Sequence, residues 1–166
     1  MDRDAAGCNR SAMTLHFAYG ANMSRAVMQR YAPGARALGA AVLSGHRFVI
    51  TADGYASVEP AAAQAVHGVV WRITPRDRAA LDAWENVAAG LYRAETLSVR
   101  LAQRRVPALV YVARPGRPGR PKPGYMALVI AAAREWRLPQ DYVATLQDFM
   151  RAQPRGTDAR KIGAFR

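Results

Sequence analysis

Short apolar runs separated by glycine, proline and polar turns dominate the first two thirds of this chain. Helical spacing takes over only near its end. Residues 15–19 predict a strand that stops at Gly20, followed by a short helix over 24–31 that ends at Pro33-Gly34. Residues 37–43 and 47–52 read as two strands with Ser44-Gly45 as the break between them, and Ala52-Asp53-Gly54 reads as a turn. A brief strand over 56–59 is expected to end at Pro60. Residues 65–73, Ala-Val-His-Gly-Val-Val-Trp-Arg-Ile, form the clearest strand, rich in β-branched side chains. Thr74 then suits an N-cap and Pro75 the first position of a helix. That helix carries Leu81 and Trp84 on one face and is expected to run to about Gly90. A hairpin over 92–102 and 106–113 follows, and then helices over about 125–136 and 140–152, interrupted by Leu138-Pro139. In the last helix Tyr142, Leu146, Phe149 and Met150 recur at helical spacing and predict a core-facing side.

Helices do not alternate with strands, which excludes a doubly wound parallel sheet. The expected class is α+β, a small curved or barrel-like mixed sheet with flanking helices. No internal repeat and no linker divides it. The expected organisation is a disordered leader over 1–12, one domain over 13–153 and a basic flexible tail over 154–166.

Composition narrows the function classes. With 166 residues, 51% of them hydrophobic, the chain can build one core and is too apolar for a disordered protein. No apolar run approaches the ~20 residues of a membrane span. Residues 1–12, with Asp2, Arg3, Asp4 and Arg10, lack the apolar block of a signal peptide, and Met13 is a second candidate start. The single cysteine, Cys8, lies in this leader, so no intrachain disulfide can form and a cytoplasmic setting is expected. Net charge is +12, almost all of it arginine, with Lys122 and Lys161 the only lysines. The arginines are scattered as on a solvated surface, apart from the Arg-Pro-Gly segment of 114–122 and the tail. The interleaved aromatics of a single-strand platform are missing, so nucleic acid is not the expected partner. The 114–122 loop could instead steer an anionic small molecule toward a nearby site. Metal and cofactor are both expected to be absent: there is no His/Cys ligand cluster, phosphate-binding glycine loop or nucleophile elbow.

Two places carry chemistry. Tyr19-Gly20-Ala21-Asn22-Met23 breaks a strand at a glycine and turns into a helix, a layout that aims backbone N–H groups at an anion. The plainer reading of the same residues is a strand-to-helix turn, with Gly20 for backbone freedom and Asn22 as an N-cap, and the two readings are compatible. The second place is Glu85, a lone acid at a helix end between Trp84 and the nearby Val87, where desolvation is expected to make it a better base. Glu59, before a proline, and Glu95, in a strand with polar neighbours, are lesser rivals. His67 reads as a satisfied core histidine and Tyr92 as structural, while His16 and His46 carry no signal.

Taken in order, these pieces resemble the gamma-glutamylcyclotransferase-like family. Its entry motif, Tyr-Gly-Ser-Asn and a hydrophobic residue, stands here as Tyr19-Gly20-Ala21-Asn22-Met23, with Ala21 in the serine's place. Its acid follows a Leu-Asp pair and precedes Gly-apolar-Tyr, which here are Leu81-Asp82, Glu85 and Gly90-Leu91-Tyr92. Val66-His67-Gly68-Val69-Val70-Trp71 is similar to the family's central strand. Pro123-Gly124-Tyr125 is similar to the segment that brings a tyrosine to the pocket, and Leu138-Pro139 with Tyr142 to the closing helix. The likeness spans about 15–152.

The resemblance implies an enzyme that splits a γ-glutamyl amide by internal attack of the substrate's own α-amine, releasing 5-oxoproline and an amine. It implies Glu85 as the base. Tyr19, Gly20, Ala21, Asn22 and Met23 would hold the glutamyl α-carboxylate, and Tyr125 would offer its hydroxyl. The nucleophile arrives with the substrate, so no triad, metal or cofactor is required. Closing a five-membered ring already gains from proximity, worth ~10⁵ M or more of effective molarity when geometry is held. The missing serine hydroxyl motivates a second expectation, a non-catalytic small-ligand-binding or regulatory protein on the same fold. A polyanion-binding module, motivated by the charge, is the third. The leaving amine and the oligomeric state, a homodimer included, are not legible in the sequence.

Overall fold

The computed structural model describes residues 12–151, so most of the expected leader, with Cys8, and the expected basic tail lie outside the described residues. Five strands, β1 (Thr14–Ala18), β2 (Arg36–Ile50), β3 (Ala56–Ile73), β4 (Tyr92–Leu101) and β5 (Arg104–Ala113), close into a barrel in the order β1-β3-β2-β4-β5. Neighbours are antiparallel except at the closure, where β5 meets β1 in parallel with His16 opposite Leu109. Four helices, α1 (Arg25–Tyr31), α2 (Pro75–Trp84), α3 (Tyr125–Glu135) and α4 (Gln140–Arg151), complete an α+β fold of the class the sequence predicts.

Two expected breaks do not end strands. β2 runs through Ser44-Gly45 because the irregularity falls on its partner: Gly45, at φ +71°, stands against residues 61–64 of β3, a bulge in which Ala63 is left-handed at φ +59°. Pro60 sits beside that bulge, opposite His46, where the ladder is already interrupted and its missing N–H costs little. At Gly68 the pairing requires glycine for a different reason. A β-carbon there would stand 2.2 Å from the Ala18 carbonyl oxygen, so β1 can lie this close only because Gly68 has no side chain.

Burial is continuous rather than alternating where a strand is covered on both faces, as at the end of β3 and along the second half of β5. Phe17, Val69, Val70, Ile73 and Val110 are wholly inside. α3 covers the barrel with Met126, Val129, Ile130 and Ala133, and α4 adds Tyr142, Val143 and Leu146. Phe149 packs against Phe48 with ring centroids 5.2 Å apart, whereas Met150, expected in the core, is 39% exposed at the end of the helix. His67 is half-buried against Tyr142 rather than a core residue, because that face of β3 is only partly covered by α4.

α2 begins and ends on strong local signals. Thr74 accepts from the Asp77 N–H while the Asp77 carboxylate accepts from the Thr74 N–H, a reciprocal capping box, and Pro75 follows at the first turn. Asp77 also accepts from the Gly34 N–H at 3.0 Å, tying the α1–β2 loop to the helix start. The helix stops at Trp84, well short of Gly90. Val87 N–H returns to the Asp82 carbonyl at 3.0 Å and Asn86 N–H to Ala83 at 3.1 Å, with Asn86 left-handed at φ +50°. This is a Schellman stop, and asparagine tolerates the left-handed position better than most residues.

At the barrel seam a side chain supplements the sheet. His16 Nδ1 lies 3.1 Å from the Leu109 carbonyl oxygen, so the ring carries its hydrogen on Nδ1 and donates it across the β1–β5 junction. Burial, the largest influence, pulls the His16 pKa down from 6.5 to about 4, although the bond to Leu109 opposes the shift. The folded state therefore holds His16 neutral while the unfolded chain takes up a proton below pH 6.5. Stability from this group is present above that pH and is lost progressively as pH falls to about 4.

Two outcomes are expected. Chemical denaturation across pH should show a loss of about 3 kcal/mol between pH 7 and 4 from this residue, and His16→Gln should flatten that slope. Asn86→Val, forcing a β-branched residue into the left-handed turn, should cost about 1–2 kcal/mol in thermal unfolding, while Asn86→Gly should be close to neutral.

Candidate active site

Where β1 runs out, the chain bends through Tyr19 and Gly20 into a single 3₁₀ turn, Ala21–Met23, and then α1. Ser24, not Asn22, is the N-cap of α1, its hydroxyl accepting from the Val27 N–H. Asn22 is thereby released from capping. Its Nδ2 donates to Glu85 Oε1 at 3.0 Å, bridging 63 residues of sequence. Glu85 is half-buried at the C-cap of α2, and Asn22 is buried.

A small cavity of about 50 Å³ lies between these two residues and the barrel end. Its floor is a set of phenols. Tyr19 Oη donates to the Tyr111 carbonyl oxygen at 2.5 Å, Tyr111 Oη to Asp82 Oδ1 at 2.6 Å, and Tyr92 Oη to the Ala56 carbonyl oxygen at 2.8 Å. Tyr125 Oη accepts from the Ala56 N–H at 3.2 Å. It also sits under the bend, because a β-carbon on Gly20 would come within 2.7 Å of it. Burial raises the pKa of Tyr19 well above the ordinary phenol value, reinforced by neighbouring Tyr92 and Glu85. Burial also raises that of Tyr111, and the bond to Asp82 adds to it. Both hydroxyls therefore keep their protons at physiological pH and act as donors.

The bend residues Tyr19, Gly20, Ala21 and Asn22 all line the cavity with Tyr125 and Glu85. Met23 does not: its side chain is wholly buried, its N–H is bonded to the Gly20 carbonyl at 3.0 Å, and its own carbonyl accepts from Trp136 Nε1. Its place is to anchor the bend to α3. The rival acids stand elsewhere. Glu59 is paired with Arg47, Glu95 is paired with Arg93, and neither lines this cavity.

Of the lining residues that carry a hydroxyl or an imidazole, four were not legible as such. Tyr92 passes for a structural strand residue, and Tyr55 and His16 carry no local pattern. Tyr111 leaves one trace in the sequence, the lone hydroxyl within the apolar run 108–113. His16 Nε2 is buried in the cavity wall with no hydrogen-bond partner among the described residues, its lone pair outward from the Leu109 bond. A larger groove lies across the Tyr92 wall, between the 114–119 loop, α4 and the ends of β2 and β3. Its lining includes Glu59, Asp141, Gln64 and Tyr142, but neither Asn22 nor Glu85. Among the described residues no three His, Cys, Asp or Glu side chains gather as a metal set, and no helix is long and apolar enough to cross a membrane.

The geometry has counterparts in known proteins. Residues 65–146 match the AIG2-like family. A gamma-glutamyl cyclotransferase superposes with a TM-score of 0.77 at 22% identity, over 82% of this chain and 87% of its own. An uncharacterized human protein gives 0.79 at 22% identity, over 89% and 92%. A yeast gamma-glutamyl cyclotransferase specific to glutathione gives 0.57 at 13% identity, over 85% and 96%. No curated protein matches the sequence. At these identities the structures show the fold, while the family match covers the central strand, the acid and the tyrosine segment in one stretch. Fold, motif order and family match agree: over residues 65–146 the chain is similar to the AIG2-like family, and its fold is that of the gamma-glutamyl cyclotransferase structures.

Proposed function

We propose that the protein is a γ-glutamyl cyclotransferase. The observation that carries this reading is the 3.0 Å bond from Asn22 to Glu85, which holds the acid over the bend at 19–22 instead of leaving it in bulk water. The glutamyl α-carboxylate would lie against the bend and accept from main-chain N–H groups there, other than that of Met23, which is bonded to the Gly20 carbonyl. The Tyr125 hydroxyl, seated under Gly20, would donate to the bound glutamyl group.

Glu85 takes one proton from the substrate ammonium, leaving a neutral amine. That amine adds to the γ-carbonyl carbon and forms the new C–N bond of a five-membered ring. The tetrahedral intermediate collapses with cleavage of the original γ-amide C–N bond. As it collapses the ring nitrogen gives up one of its two hydrogens as a proton, and this proton together with the one on Glu85 goes to the departing nitrogen, so the products are 5-oxoproline and an amine in its ammonium form, with the acid regenerated. Neither electrons nor a further reactant are needed, and the rate advantage comes mainly from folding the glutamyl chain onto itself. A non-catalytic ligand-binding protein is the second reading, favoured only by Ala21, which leaves the cavity mouth without the family's hydroxyl.

Incubation with a panel of γ-glutamyl compounds should release 5-oxoproline. Glu85→Gln should cut that rate by about 10²–10⁴ while retaining ligand binding. Asn22→Ala should lower kcat by about ten- to a hundredfold with a smaller change in KM, because the acid loses its orientation. A folded wild-type protein that yields no product from any compound, or a Glu85→Gln variant at full rate, would falsify the reading.

A further inference from the structure

The barrel is not laced together all the way round. β2 and β4 pair only at Ala41–Leu101 and Val42–Arg100. Carried on at that register, the ladder would set Ile50 against Tyr92, but from Leu43 to Ile50 and from Tyr92 to Val99 the two strands are not paired with each other. The larger groove lies in this split, lined by residues 47–50 on one side and 90–93 on the other. Its volume is about 950 Å³, within the ~300–1,000 Å³ of pockets that hold a small organic molecule. Among the described residues Tyr92 alone lines both this groove and the small cavity at Glu85, so the two are separate spaces.

The floor of the groove is apolar. Phe48, Ile50, Val58 and Val112 are buried along it, and Phe149 of α4 packs on Phe48. The Ser57 hydroxyl beside Val58 already accepts from the Ala113 N–H at 3.0 Å. The wide end of the split is spanned by the Arg-Pro-Gly loop, which is tied to both sides. Arg114 N–H donates to the Leu91 carbonyl at 3.3 Å, Gly119 N–H donates to the Ile50 carbonyl at 2.9 Å, and Pro118 is bridged to Thr51. An extended chain running through the split would have to displace this strap, whereas a small molecule fits beneath it. Arg114 and Arg117 of the strap line the groove, are exposed, and pair with no carboxylate among the described residues. Arg114 is held: its guanidinium lies in the space that a β-carbon on Gly90 would occupy. The other charges are spent or outnumbered. Arg47 pairs with Glu59, Arg93 pairs with Glu95, and Asp141 accepts from the Tyr142 N–H on the α4 wall, while Asp53 alone leaves the strap end net positive.

We propose that this groove binds a small amphiphilic carboxylate, with its apolar chain in the split between β2 and β4 and its head group on Arg114 and Arg117. An apolar trough that ends in two guanidinium groups complements an apolar chain that ends in an anion. The assignment does not depend on the cyclotransferase reading.

Calorimetric titration of the full chain with monomeric decanoate, decanol and decyltrimethylammonium compares one apolar chain under three head groups, and butyrate carries the carboxylate on a short chain. Decanoate should bind one to a chain, about tenfold tighter than decanol and tighter still than the cation. Butyrate should bind at least about a hundredfold more weakly than decanoate, having lost most of the apolar contact. Arg114→Gln combined with Arg117→Gln, both at exposed positions, should bring decanoate close to decanol and leave decanol unchanged. Thr145→Trp, exposed on the α4 wall, should fill the groove and weaken decanoate and decanol alike by about tenfold or more. No binding of decanoate, a preference for the cation, or an affinity unmoved by either the arginine replacements or Thr145→Trp would overturn the assignment. A dimer in sedimentation that Thr145→Trp dissociates would give the groove to a second copy of the chain instead. Binding to phospholipid vesicles without binding of monomeric decanoate would give it to a membrane, and either result rejects the small carboxylate.

Discussion

A single amide-to-carboxylate bond, Asn22 to Glu85, joins the bend after the first strand to the end of the second long helix. For it to form, three separate pieces of structure must agree. The bend must deliver Asn22 with its side chain free, and Ser24 makes that possible by taking over the cap of α1. The helix must stop with Glu85 aimed inward, and the left-handed Asn86 sets the stop. The barrel must close, because the bend hangs on the last residues of β1 and the seam to β5 is a single residue pair helped by a histidine. Each is a local device of modest strength. Together they place an acid and an amide at hydrogen-bonding distance in a partly buried setting, where such a bond is worth more than in water.

Beneath that bond the phenols fix the floor. Tyr19, Tyr92 and Tyr111 all spend their hydroxyl hydrogens on acceptors within the protein, two of them on strand carbonyls. Hydroxyls so committed are poor candidates for proton transfer and good ones for rigidity. The Tyr111–Asp82 bond also holds α2 one turn before Glu85, and Arg78 pairs with the same carboxylate from the preceding turn. Around the outside, Trp136 reaches back to the Met23 carbonyl while Arg25 covers its ring at 3.8 Å, so α3 grips the bend from the far side. A reaction whose nucleophile is built into the substrate asks for such a site: few groups in contact with the ligand, all of them held.

The charge of the chain takes on a different meaning once positions are known. A net +12 spread over arginines carries no message by itself. Most cations that have acidic neighbours are paired along the surface, as Arg25 is with Glu135 and Arg47 with Glu59. Lys122 differs in having an aromatic ring of the cavity mouth as its neighbour instead of a carboxylate.

Much of the fold was legible because its signals are local. Thr74 and Pro75 announce α2, Gly20 marks the end of β1, and the β-branched run at 65–73 marks the central strand; each needs only neighbours within a few residues. Class and element order followed from these, whereas the pairing of the entry motif with Glu85 was suggested only by the family resemblance. Strand ends at Ser44-Gly45 and Pro60 were not legible, since glycine and proline break a strand unless a partner strand accommodates a bulge, and only the assembled sheet supplies that partner. The end of α2 depended on which residue could turn left-handed, and Asn86 did so well before the glycine. The cavity walls were beyond the reach of the sequence for the same reason. Tyr55, Tyr111 and His16 belong to segments far apart along the chain, and their shared neighbourhood exists only once the barrel has closed and brought their backbones together. The sequence by itself determined which elements form and which acid stands at a helix end; only the tertiary structure decided what that acid faces, because contact between distant segments is set by sheet register and closure rather than by any local preference.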